Sequence, residues 1–206
     1  MDKIQVDMQS SIVDYHGPMS SQISEPGPAS GSAREPVERR AATVREVKAL
    51  AHPLRLRILR LCGQHELTNK QLADRLGRDP GTVLYHVRQL VSAGFLQQAP
   101  VRTGESGALE KPYRSTRQSW WLDSALALSD PDAALAPLEA FQDELREAGP
   151  GSIKKYSRFV LRLSPHDAET LARRIVAVLD EYVETDERRR DQPAHGGLFV
   201  LHRLAE

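Results

Sequence analysis

Apolar residues recur at helical spacing through most of residues 37–93, and the breaks between the runs divide this region into four helices. The predicted helices cover about 37–51, 53–63, 69–76 and 80–93. Thr68 precedes the third helix, and its spacing from Gln71 is that of a capping box. Gly77 ends that helix two residues before the next one begins to be capped. The third and fourth helices are therefore predicted to form a helix-turn-helix.

The fourth helix, 80–93, has two contrasting faces. Asp79 is placed to cap it, Pro80 occupies its first position and Gly94 lies at its far end. One arc is apolar and consists of Val83, Leu84, Val87, Leu90 and Val91. The opposite arc consists of Gly81, Thr82, Tyr85, Arg88, Gln89 and Ser92. A solvated face would usually hold Lys and Glu. Because this arc holds no acid, we expect it to meet a partner.

A β-hairpin is predicted after the fourth helix. Residues 95–101 and 113–120 read as two strands, and the intervening loop is polar and contains glycine. A helix-turn-helix followed by such a hairpin is a winged helix. Trp120 and Trp121 end the second strand, and we expect them to pack at the joint with the rest of the chain.

The C-terminal residues 122–206 predict a small α+β domain. A helix kinked by Pro137 is expected first, with an apolar stripe of Leu135, Leu138, Phe141 and Leu145. A strand within 154–164 and a final strand over 198–205 flank a long helix that begins at Ser164. The apolar stripe of that helix is Leu171, Ile175, Val178, Leu179 and Tyr182. The order strand–helix–strand favours one helix packed on a sheet.

Three regions are thus predicted along the chain. Residues 1–35 are rich in Gly, Pro and Ser and predict a disordered tail. Residues 36–121 form the winged helix-turn-helix domain, and residues 122–206 the C-terminal domain for dimerisation or effector binding. The expected fold class is mainly α with a small β component.

The charge of the chain is distributed unevenly, although its total is zero. Residues 45–121 carry 13 basic and six acidic residues, whereas both flanks are acidic. A basic middle of this kind is typical of a module that binds a polyanion. The single cysteine, Cys62, excludes an intramolecular disulfide. No apolar run reaches the length of a membrane span, and no signal peptide is recognisable, so a cytoplasmic protein is expected.

Several motifs of residues 45–121 occur together in one known family. The first is the sequence Pro-Leu-Arg at the start of the second helix. Further motifs lie in the third and fourth helices, and the last is the sequence Ala-Gly-Phe-Leu at the end of the fourth helix. The matching residues are Pro53, Leu54, Arg55, Leu72, Ala73, Leu76, Gly77, Thr82, Val83, His86, Val87, Leu90, Ala93, Gly94, Phe95 and Leu96. This stretch resembles the ArsR-like winged-helix transcriptional regulators. The resemblance implies a homodimeric protein that binds double-stranded DNA, usually as a repressor.

The residues expected to contact DNA follow from the exposed arc and the hairpin. They are Thr68, Gly81, Thr82, Tyr85, Arg88, Gln89, Arg102, Lys111 and Arg114. An α-helix fits the major groove, where Arg pairs with guanine and Gln with adenine. The hairpin cations are expected to contact backbone phosphates. Thr68 has two open roles, as a helix cap alone or also as a phosphate ligand.

The sequence gives less support to other functions. Many ArsR-like regulators sense metals through a cysteine pair in the helix before the recognition helix, but residues 69–76 contain no cysteine. No metal or other cofactor is therefore expected, and Cys62 is expected to be a core residue. No catalytic constellation is recognisable in 122–206, so no enzymatic activity is expected. A small-molecule effector is possible. The main alternative is a winged helix that binds protein and has no specific DNA site.

Overall fold

Six α-helices and three pairs of very short strands make up the part of the chain that the structure, a computed structural model, describes. That part covers residues 39–104, 107–123 and 131–205, and it belongs to one compact unit, Pro36–Glu206. The predicted tail, 1–35, lies outside the described residues. The helices are α1 (Val44–Leu50), α2 (Pro53–Gln64), α3 (Asn69–Leu76), α4 (Pro80–Ser92), α5 (Pro131–Ala148) and α6 (Pro165–Glu184).

The helix-turn-helix forms where the sequence predicts it. The Thr68 hydroxyl accepts from the Gln71 backbone N–H, and the Gln71 side chain accepts from the Thr68 N–H, so the capping box of α3 is complete. Gly77 ends α3 in the left-handed conformation, at φ 59°, which glycine adopts without strain. The Asp79 side chain caps α4 by accepting from the Thr82 N–H.

The core of the unit lies among α2, α3, α4 and the start of the hairpin. Its fully buried large side chains include Ile58 of α2, Leu72 of α3, Leu90 of α4 and Phe95. The apolar arc of α4 supplies Val83, Val87 and Leu90 to this core, as expected. Val91 is the exception: it is 40% exposed. The opposite arc of α4 is left facing outward.

The hairpin consists of two short antiparallel ladders. Strand β2 (Leu96–Gln98) pairs with β5 (Tyr113–Ser115), and β3 (Arg102–Thr103) pairs with β4 (Leu109–Glu110). A backbone hydrogen bond of 2.8 Å from Ala99 to Pro112 joins the two ladders. The second predicted strand is shorter than expected, because a 3₁₀ turn at Gln118–Trp121 replaces its end.

The N-terminal helix begins later than the sequence predicts. Residues Arg40–Ala41 form strand β1, which runs parallel to β6 (Leu122–Asp123). Thr43 then caps α1 through a capping box with Glu46. The apolar spacing counted from residue 37 therefore merged a short strand with a helix that starts only after its cap.

Helix α5 packs against α2 through small residues and ion pairs. Its buried residues are Ala133, Ala136 and Ala140, whereas Leu135 of the predicted stripe is 53% exposed. The ion pairs link Arg57 to Asp143 and Glu147, and Arg60 to Glu144. Alanines allow two helices to approach closely, so the buried face of α5 is rotated from the one that the leucines predicted.

The predicted α+β domain is not formed by the described residues of 122–206. Helix α6 is present, but 153–164 and 193–205 contain neither helix nor β-ladder among the described residues. The strand prediction for 154–164 and 198–205 was therefore wrong for the single chain. Alternating apolar side chains form a strand only when they pair with another strand, and neither segment does so among the described residues.

Candidate nucleic-acid interface

The outward arc of α4 is exposed along its whole length. Each of the six residues that the sequence placed there is exposed. Tyr85 is the most prominent, with 58% of its surface exposed. The Arg88 side chain makes no hydrogen bond or ion pair with any residue that the structure describes. The arc therefore presents an aromatic ring, a guanidinium group and several hydrogen-bonding groups that are available to a partner.

The turn between α3 and α4 fixes how this arc is presented. The Asn69 side-chain amide donates to the Pro80 carbonyl oxygen at 2.9 Å, which ties the start of α3 to the start of α4. A Cβ atom on Gly81 would lie 3.0 Å from a carboxylate oxygen of Asp79. Glycine at this position therefore keeps the capping carboxylate in place and lets a partner approach the backbone closely.

A basic groove formed by α1, the start of α2 and α4 lies beside the exposed arc. It is lined by Arg45, Lys48 and Arg55 on one side and by Tyr85, Gln89 and Ser92 on the other. The Arg45 side chain donates to the Ser92 hydroxyl. These three cations were missed as site residues, because in the sequence they read as ordinary helix-surface charges. The signal that pointed to them was the excess of basic residues over 45–121.

The hairpin cations are partly engaged by acidic and polar neighbours. Arg102 forms a 3.0 Å ion pair with Glu110 across the β3–β4 ladder. Arg114 lies 3.9 Å from Glu66. With the Gln97 amide oriented so that its oxygen faces Arg114, that oxygen accepts from Nε at 2.7 Å and from a terminal nitrogen at 2.9 Å. Lys111 is exposed between these strands.

Thr68 is occupied as a helix cap and is half-buried. Its hydroxyl already accepts one backbone bond at 3.2 Å, which leaves the hydroxyl proton available to another acceptor. The structure thus places Thr68 at the N-terminus of α3, compatible with either of its two predicted roles.

Two histidines lie behind the exposed arc. The rings of His52 and His86 are 4.4 Å apart, and an Arg55 nitrogen lies 3.4 Å from His86 Nδ1. Burial, assisted by the nearby His52 and Arg55, lowers the pKa of His86 to about 4. Burial likewise lowers the pKa of His52. Both rings are therefore neutral at pH 7, and His86 supports the helix from behind.

A charged cleft of about 500 Å³ lies between the start of α2, α4 and α5. Three arginines line it, Arg57, Arg78 and Arg146, together with the carboxylates of Glu139 and Asp143. The cleft also includes Thr82, His52 and His86. It is therefore contiguous with the rear of the exposed arc.

Cys62 is a core residue, as predicted. It is 3% exposed, and burial raises the pKa of its thiol to about 12. A thiol held in its protonated form is a poor nucleophile and a poor metal ligand. Among the described residues, no three His, Cys, Asp or Glu side chains are grouped so that they could hold a metal ion.

Comparison with known proteins agrees with this geometry. A family model described as "Helix-turn-helix domain" matches residues 50–98, which run from the end of α1 to the first strand of the hairpin. No curated protein matches the chain. None of the described helices is both long enough and apolar enough to cross a membrane. The chain therefore contains a helix-turn-helix domain, and such a domain indicates a DNA-binding transcription regulator.

Proposed function

We propose that this chain is a sequence-specific transcriptional regulator of the ArsR-like type, and that it acts as a homodimeric repressor in the cytoplasm without enzymatic activity. The observation that carries the proposal is the exposed arc of α4. It combines Tyr85, Arg88 and Gln89 without an acidic residue, and basic side chains flank it on α1 and on the hairpin.

In this proposal α4 enters the major groove of double-stranded DNA. The major groove is wide enough for an α-helix, and the base edges exposed in it carry the donor and acceptor pattern that distinguishes the base pairs. Arg88 pairs with guanine or a phosphate, Gln89 with adenine, and Thr82 with a phosphate or a thymine methyl group. Tyr85 lays its ring and hydroxyl against the base edges.

The surrounding cations hold the protein in register on the backbone. The hairpin acts as the wing, with Arg102, Lys111 and Arg114 contacting phosphates that α4 does not reach. Arg45 and Lys48 serve the same purpose on the other side of α4. Because Arg102 is paired with Glu110 in the free chain, binding exchanges that ion pair for a phosphate contact.

Two further parts of the proposal concern regulation. A homodimer bound upstream of a gene represses by excluding the polymerase. If a small molecule modulates binding, the cleft between α2, α4 and α5 is the place for it, since an occupant there would touch both Thr82 and α5.

Selection from a pool of random-sequence duplexes tests the proposal. We expect the full chain to enrich a motif of two related half-sites whose centres lie about 10–11 base pairs apart, or a multiple of that. The matched control is Arg88→Ala, which should relax the preference at one position of each half-site. If neither chain enriches any sequence, the alternative holds, and the exposed arc binds a protein.

A further inference from the structure

Most of the large apolar side chains that the described residues leave exposed lie in the C-terminal third. Of 18 such side chains, 12 fall between residues 153 and 204. They are Ile153, Tyr156, Phe159, Val160, Leu161, Leu163, Val178, Leu179, Tyr182, Leu198, Val200 and Leu204. Exposed apolar patches above a few hundred Å² are typical of interaction sites. The C-terminal third therefore exposes apolar side chains that another molecule can cover.

Helix α6 is anchored to the rest of the unit by the side opposite its apolar stripe. Asp180 is the one buried residue of α6, and its carboxylate accepts from Arg39 and from Trp120 Nε1, both at 2.7 Å. At 100° per residue, the stripe positions 171, 175, 178 and 182 lie within about 40° of the direction opposite Asp180. The apolar stripe of α6 is thus turned away from the DNA-binding half, and Val178 and Tyr182 are more than half exposed.

The segment 153–164 has the sequence of a strand that covers such a stripe. Phe159, Leu161 and Leu163 occupy alternate positions, so an extended backbone would place them on one face. The other face would carry Tyr156 and Val160 together with the basic side chains at positions 154, 158 and 162. Within the described part of the chain, residues 154–163 pair with no strand.

The segment is poorly connected for packing on its own helix. Ser164 is both the last residue of the segment and the N-cap of α6, so a single residue joins them. Connections between a strand and the helix packed on it usually need two to six residues. The stripe of α6 is therefore out of easy reach of the segment that precedes it, whereas the α6 of another molecule carries no such restriction.

The charge of the two elements favours an arrangement in which segment 153–164 of one copy lies beside helix α6 of a second copy. Residues 153–164 carry four basic residues and no acidic one, while α6 carries five acidic and two basic residues. Two 153–164 segments side by side would repel each other, because like charges on neighbouring strands are destabilising. One segment against the α6 of another copy places opposite net charges together.

We propose that residues 153–205 form the interface between two copies of this chain. Segment 153–164 of each copy packs on the apolar stripe of the partner's helix α6, beside segment 198–205 of that partner. Because every chain carries one such segment and one stripe, a two-fold symmetric dimer buries the exposed apolar stripe of both copies. This inference deepens the homodimer part of the proposed function and does not depend on DNA binding.

Light scattering of the full chain after gel filtration, without DNA, tests the interface. We expect the chain to have twice the mass of one copy. Leu161→Asp should raise the dimer dissociation constant by roughly tenfold or more, because it places a carboxylate in the apolar contact. Leu109→Asp is the matched control, since Leu109 is 76% exposed on the hairpin and should leave the mass unchanged. Circular dichroism should show the same helix content for all three chains.

Cross-linking identifies the pairing itself. A chain carrying Phe159→Cys and a differently tagged chain carrying Val178→Cys should be joined by a short bismaleimide, and Leu109→Cys should not be joined to either. The native Cys62 is buried and does not compete. A monomeric wild-type chain would overturn both the interface and the homodimer. A dimer that Leu161→Asp leaves intact, with no cross-link between positions 159 and 178, would overturn the interface alone.

Discussion

At the residue scale, Tyr85 is the side chain of α4 whose replacement we expect to weaken DNA binding most. It is 58% exposed, and within the described part of the chain its one ring contact is an edge-to-face approach to His86 at 5.2 Å. Tyr85→Ala should therefore leave folding unchanged but cost about 1–3 kcal/mol of binding free energy at the preferred DNA site. The loss should be smaller on unrelated DNA, because a base contact contributes only where its base is present.

Fluorescence anisotropy on preferred and scrambled duplexes measures this difference. Val91→Ala is the control, since Val91 is exposed on the same helix but lies outside the outward arc. An affinity for every duplex that Tyr85→Ala leaves unchanged would exclude Tyr85 as a base reader.

Arg102 offers a prediction of the opposite kind. As a phosphate ligand, it should contribute equally on all sequences, so Arg102→Ala should weaken preferred and scrambled duplexes alike. The salt dependence of binding should also become shallower by about one counterion. Glu110→Gln removes the acid that pairs with Arg102 at 3.0 Å, and it should strengthen binding to both duplexes. A loss restricted to the preferred duplex would contradict a pure phosphate contact.

At the element scale, two substitutions at Thr68, the N-cap of α3, distinguish its capping role from phosphate binding. Asp caps helices as well as Thr does, but its carboxylate repels a phosphate. Thr68→Asp should therefore retain the thermal stability of the chain, while Thr68→Ala should lower the free energy of unfolding by about 1 kcal/mol. If Thr68 also binds phosphate, DNA affinity should fall in Thr68→Asp more than in Thr68→Ala. Equal affinity in the two variants would leave Thr68 with the capping role alone.

The packing of α4 on α2 carries a pH dependence through His86. The pKa of His86 is about 4 in the fold, below the ordinary value of about 6.5 in an unfolded chain. Between these two pH values the unfolded chain binds a proton at His86 and the folded chain does not. The contribution of His86 to the free energy of unfolding is therefore complete above pH 6.5 and is lost as the pH falls toward 4.

Denaturant unfolding at a series of pH values measures this linkage. His86 alone should contribute a slope of up to about 1.4 kcal/mol per pH unit, and His86→Gln should remove that part of the slope. The dependence that His52 and the carboxylates cause should remain. Parallel stability profiles for the two chains would show that His86 titrates normally in the fold.

The elements differ in how far the sequence alone could predict them. The helix-turn-helix was predictable because its signals are local: a capping box at Thr68, a left-handed glycine at Gly77 and an Asp-Pro start at 79–80. The exposed arc of α4 followed from the same periodicity. The groove cations Arg45, Lys48 and Arg55 were not predictable as site residues, because only the packing of α1 and the start of α2 beside α4 brings them to the arc.

The features that the sequence did not predict depend on contacts with other parts of the chain. Strand β1 needs β6, about 80 positions away in the chain, and helical spacing outweighed its two residues. The buried face of α5 is set by alanines, which the search for large apolar residues overlooked. The segments 154–164 and 198–205 form no β-ladder among the described residues of one chain.

At the scale of the whole molecule, charge separates the two ends of the described unit. The helix-turn-helix and hairpin region carries the basic excess, and the C-terminal region is acidic and apolar. A positive surface draws DNA toward α4, whereas the acidic region resists non-specific contact with the same backbone. This division suits a molecule that binds DNA with one half and a second copy of itself with the other.

The measurement that tests DNA binding most directly is anisotropy of a labelled duplex from upstream of the protein's own gene. It is made against excess scrambled competitor at several salt concentrations. We expect binding to survive competition, and the logarithm of the affinity to fall linearly with the logarithm of salt concentration, with a slope near −0.9 for each phosphate contacted. If the chain binds the upstream fragment and any enriched motif no more tightly than scrambled DNA, and all of them weakly, it is not a sequence-specific regulator.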